Sequence, residues 1–156
     1  MLPDDTYRTR YQATIRTLEQ WLATQQDVAD VEVARAHGSW RARVAPHAAN
    51  ACPFELALRT DQHYDLSVGS ETYEDQPIDS LSLFPDLVEA IAAGRVISRR
   101  VASAATGSVQ AIETIVTPGD GVEWSGRRTF NGAAAVAAAT DAVVHDRHYV
   151  AYSRAA

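Results

Sequence analysis

His47 and Cys52 share the loop Pro46-His47-Ala48-Ala49-Asn50-Ala51-Cys52-Pro53. A thiolate beside an imidazole is a nucleophile design, and Asn50 is placed to orient the ring. The order and spacing match no nucleophile motif, and a lone cysteine more often serves as a small buried hydrophobe. Cys52 is therefore expected in the core. His37, His47, Cys52 and His63 fall in separate turns, without Cys-x-x-Cys or His-Glu-x-x-His spacing. His145 and His148 would share a face if their segment were helical, but no third ligand is nominated, so no metal is expected.

Two arginine pairs, Arg99-Arg100 and Arg127-Arg128, fall in segments that alternate like strands, where neighbours point to opposite faces. One arginine of each pair could share a face, with His47 beside them, and grip a carboxylate or phosphate in a cavity between sheet and helix. The competing reading is that these arginines pair with Glu113, Glu123 or other acids across the sheet.

The stretch Glu71-Thr72-Tyr73-Glu74-Asp75-Gln76-Pro77-Ile78-Asp79 carries four carboxylates around an aromatic and an apolar residue. It reads as a polar connection. Glu71, Glu74, Asp75 and Asp79 would steer a basic protein partner that Tyr73 and Ile78 anchor. No glycine sits where a calcium loop of the EF-hand type needs its sharp turn. A solvated loop that serves only solubility is the plainer alternative.

Composition narrows the chemistry further. The chain has 156 residues, 14 basic and 20 acidic, for a formal net charge of −6. Every basic residue is arginine, which removes P-loop, Schiff-base and general-base lysines. Net acidity disfavours nucleic-acid binding. No Gly-x-Ser-x-Gly or Gly-x-Gly-x-x-Gly pattern occurs, so no cofactor is expected. One cysteine excludes an internal disulfide and suggests a reducing cytoplasm. The start Met1-Leu2-Pro3-Asp4-Asp5 does not read as a secretory signal, and the alanine tract from Ala133 is too weakly apolar to span a membrane.

The elements that must position these residues follow from periodicity. Tyr7, Tyr11, Ile15, Leu18 and Leu22 lie on one face of a helix running from about Asp5 to Gln26, with Asp4 or Asp5 as its cap. The period then becomes two: Val31 and Val33; Trp40, Ala42 and Val44; Phe54, Leu56 and Leu58; Tyr64, Leu66 and Val68. This predicts a four-strand meander, with Gly38 turning the first hairpin. A second helix is expected from Pro85 to Ala93, with Gly94 past its end. Strands are expected over Arg95–Ser103, Ser108–Thr117 and Val122–Phe130, and a last helix over Ala133–Val144 that Asn131 caps. The tail from His145 to Arg154 suits helix or strand.

The predicted architecture is a single α+β domain over 1–156: antiparallel meanders of about four and three strands, with an N-terminal, a middle and a C-terminal helix packed on them. The leading functional expectation is a small acidic cytoplasmic protein-binding domain, chaperone-, immunity- or regulator-like, without catalysis. Its order of helix and strands is similar to that of type III secretion chaperones in topology alone. The runner-up is a small-molecule enzyme or ligand-binding protein using the Arg99, Arg100, Arg127, Arg128 and His47 pocket. A basic protein is the expected partner and a second copy of the chain the other candidate; exposure of Trp40, Trp124 or edge strands would favour an oligomeric subunit.

Overall fold

The computed structural model describes residues 2–119, 123–130 and 142–154. Helix α1 (Asp4–Ala23) buries Tyr7, Tyr11, Ile15, Leu18 and Leu22, the stripe its period requires. Pro3, not an aspartate, occupies the N-cap, and Asp4 and Asp5 lie in the first turn, where their charge faces the positive end of the helix dipole. Strands β1 (Ala29–Ala36), β2 (Ser39–Pro46), β3 (Phe54–Arg59), β4 (His63–Val68) and β5 (Glu71–Pro77) form an antiparallel sheet in that order.

Alternation gives this sheet one apolar face, carrying Trp40, Ala42, Val44, Phe54, Leu56, Leu58, Tyr64, Leu66 and Val68, all buried. Helix α1 covers it, and two phenol hydroxyls pin it there: Tyr7 donates to the Arg59 carbonyl at 2.7 Å and Tyr11 to the Leu58 carbonyl at 2.9 Å. Helix α2 (Leu83–Ala92) packs on the same core through Phe84, Leu87, Val88 and Ile91, with the Phe84 ring edge-on to Tyr64 at 5.0 Å. Each such apolar side chain contributes about 1.5–3 kcal/mol when fully buried. The other face of the sheet is polar, with Arg41 and Arg43 paired to Glu55 across the strands.

Strands β6 (Val96–Ser103), β7 (Val109–Val116), β8 (Trp124–Thr129) and β9 (Ala142–His148) form a second antiparallel sheet, in the order β8-β7-β6-β9. Val96, Val116 and Trp124 join the core cluster, and Trp124 Nε1 donates to the Tyr64 hydroxyl at 3.0 Å. Past β9 the chain returns to the first sheet and α2. The Val150 amide donates to the Asn50 carbonyl at 3.0 Å and the Tyr152 amide to the Ala92 carbonyl at 2.8 Å, while the Tyr152 hydroxyl donates to the Cys52 carbonyl at 2.5 Å. Gly94, at φ +80, permits this approach, since a Cβ there would lie 2.6 Å from the Ala151 amide nitrogen.

Three expectations are corrected. Among the described residues there are two helices and nine strands in two antiparallel sheets, so the three-helix arrangement is wrong. Of the expected last helix, 142–144 belong to β9, and 133–141 lie outside the described residues. The β-branched Val143 and Val144 pair in register with Ala102 and Val101, and Asp146 pairs with Arg99. The sheets hold five and four strands: most of the stretch expected as a polar connection, Glu71–Pro77, is strand β5, and β9 returns to pair with β6 outside the β6–β7–β8 meander. No described helix is long and apolar enough to cross a membrane.

Candidate functional site

Strand β5 does not present its acids as one exposed patch. The Glu71 side chain is 5% exposed, and its two oxygens accept from Nε and Nη2 of Arg128 at 2.8 and 3.0 Å. Tyr73 lies between the sheets, its ring edge-on to Trp124 at 5.4 Å and its hydroxyl 2.8 Å from that of Thr114. Asp75 is ion-paired with Arg59, and its amide donates to Asp65 Oδ1 at 2.7 Å. Ile78 packs against the core. Of the six expected binding residues, only Glu74 and Asp79 remain exposed without an ion pair among the described residues.

Asp79 leads to a different site. A groove of about 560 Å³ opens between the β5–α2 connection, the first turn of α2 and the start of β8. Asp79, Asp86 and Glu123 line it together with Phe84, Pro118 and Trp124. The three carboxylates belong to exposed residues and form no ion pair among the described residues. Asp86 in the first turn of α2 suits the positive helix end. The sequence does not nominate Asp86, and it offers Glu123 only as a cross-strand partner for arginine, because the two flank turns far apart in the chain. Their local signals, an acid after Pro85 and one before Trp124, acquire meaning only when the sheets meet.

The nominated anion pocket does not assemble between sheet and helix. In-register pairing puts Arg99 and Arg127 on one face of the second sheet and Arg100 and Arg128 on the other. Arg99 donates to Asp146 at 2.9 and 3.1 Å, with Glu113 at 3.7 Å, and Arg128 is held by Glu71. Arg100 and Arg127 form no ion pair among the described residues. His47 lies at the end of the first sheet, where its Nε2 is 3.0 Å from Asp30 Oδ1.

Burial also removes the nucleophile. Cys52 is fully buried, its thiol is pushed up to about 12, and its sulfur donates to the Pro53 carbonyl. His47 Nε2 faces Asp30 Oδ1 at 3.0 Å, and no hydrogen bond joins His47 to Cys52 among the described residues. Among the described residues no group of three or more His, Cys, Asp or Glu side chains could hold a metal ion. Trp40 and Trp124 are both buried, which removes exposed indoles as a reason to expect an oligomeric subunit.

No protein-family model, curated protein or solved structure matches the chain. The functional reading therefore rests on the geometry.

Proposed function

We propose that this chain acts by binding another protein, and that a basic segment of that partner docks in the groove bounded by Asp79, Asp86 and Glu123. The supporting observation is the pairing of three carboxylates, free of ion pairs among the described residues, with an aromatic and apolar lining. The lining supplies affinity by excluding water from an inserted side chain, and the carboxylates speed encounter and select cationic partners. A volume of about 560 Å³ suits one or two side chains of such a segment. This retains the chaperone-, immunity- or regulator-like role without catalysis and moves its binding surface from the body of β5 to the β5–α2 connection. A cytoplasmic location fits the single free, buried cysteine.

The test is calorimetric titration with a short peptide alternating arginine and leucine. The wild-type chain is expected to bind it with a strong salt dependence, and the Asp86→Asn/Glu123→Gln variant at least about tenfold more weakly, a loss of roughly 1.4 kcal/mol. Equal affinity in the two proteins would overturn the assignment.

A further inference from the structure

A second site of opposite charge lies on the face of the second sheet that carries Arg100 and Arg128. Cross-strand register sets Arg100 of β6 beside His145 of β9 and Ser98 beside Arg147, so all four side chains leave the same face. Arg100 and Arg147 are diagonal neighbours in this pattern, a spacing within reach of long side chains. A cavity of about 320 Å³ lies over them, and Ser70, Ile112 and Tyr149 also line it. The Arg147 guanidinium rests over the Tyr149 ring, 4.7 Å from its centroid, which limits its freedom.

The nearby carboxylates are already committed. Asp146 also lines the cavity, but its two oxygens accept from Arg99 at 2.9 and 3.1 Å. Glu71 accepts from Nε and Nη2 of Arg128. Neither Arg100 nor Arg147 forms an ion pair among the described residues.

We propose that this cavity binds a small phosphate monoester, with its phosphate gripped between Arg100 and Arg147 and flanked by His145 and the Ser70 and Ser98 hydroxyls. Phosphate is favoured over carboxylate by the count of donors. Two guanidiniums and two hydroxyls offer more N–H and O–H groups than two carboxylate oxygens can accept, whereas three phosphate oxygens use them well. The small cavity limits the remainder of the ligand to a few heavy atoms. This site lies on other residues than the acidic groove and does not depend on it.

The test is an NMR titration of the full chain at constant ionic strength with glycerol 3-phosphate, inorganic phosphate and acetate. Saturable shifts of the Ser70, Ser98 and Tyr149 amides are expected with both phosphates, and affinity for acetate at least about tenfold lower. Arg100→Gln and Arg147→Gln are each expected to weaken phosphate binding about tenfold or more, while Arg154→Gln, a surface arginine paired with Asp27, leaves it unchanged. Arg100 is exposed and outside the core, so its variant keeps the fold. The proposal is overturned by absent saturation, by unchanged affinity in Arg100→Gln, by an equal loss in Arg154→Gln, or by acetate binding as tightly as phosphate. An acidic peptide that saturates this face when the phosphates do not would overturn it as well.

Discussion

The ring of Tyr73 occupies the space that a side chain at Gly126 would fill: a Cβ there would lie 2.6 Å from two of its ring carbons. Two residues earlier on β5, Glu71 reaches Arg128, two residues further along β8. Strand β5 is thus both the edge of the first sheet and a line of contact with the second. Its alternation places a tyrosine and a buried carboxylate where an ordinary core strand would carry aliphatic residues.

Gly126→Ala is expected to destabilise the chain by about 1–3 kcal/mol, because the added methyl must displace Tyr73 from Thr114 and Trp124. In Tyr73→Ala the same substitution is expected to cost much less. Urea denaturation of the four proteins in a double-mutant cycle checks this, and additive losses would show that the contact is not the cause.

Arg128→Gln leaves the Glu71 carboxylate, with a side chain 5% exposed, without its partner. Breaking such a pair on one side costs more than replacing both members by neutral groups. The denaturation midpoint of Arg128→Gln is therefore expected to fall below that of Glu71→Gln/Arg128→Gln. The reverse order would show that Glu71 gains little from the pair.

All six tyrosines are raised above the ordinary phenol value, with burial the leading cause in each. Cys52 is pushed up to about 12 by the same effect. A raised folded-state value means that the unfolded chain ionises first. Stability is complete below the unfolded values, about 8.5 for a thiol and 10 for phenols, and declines as pH rises beyond them. Phenolate absorbance is expected to appear together with loss of the circular dichroism signal, in one alkaline transition. Phenolate forming at its ordinary value in a chain that is still folded would contradict this.

The same burial protects Cys52 from alkylation. At pH 8 its reaction with iodoacetamide is expected to be slower by at least about a hundredfold in the folded chain than in urea, because thiolate is scarce and the sulfur inaccessible. A rate close to that of the unfolded chain would mean that the loop holding Cys52 opens readily.

Much of the first layer is legible in the sequence because its burial is local in pattern. The stripe from Tyr7 to Leu22 and the alternation from Trp40 to Val68 mark the faces that meet in the core. Strand β5 escapes such reading because its inward residues are Glu71 and Tyr73, whose partners Arg128 and Thr114 lie 57 and 41 positions away. Strand β9 escapes because all its residues are exposed and carry no apolar–polar alternation, so the preceding alanines suggest a helix. The split of each arginine pair across the second sheet was legible from alternation. Which member stays free of an ion pair was not, since Asp146 reaches Arg99 only through pairing of β6 with β9.

The groove is tested most directly by affinity capture from the source cell, with the wild-type chain and an Asp79→Asn/Asp86→Asn/Glu123→Gln variant compared side by side. The expected result is a partner retained in stoichiometric amount by the wild type through a basic segment that cross-links beside Asp79 or Glu123, and lost with the variant. No stoichiometric partner, or one retained equally by the variant, would contradict the proposed function.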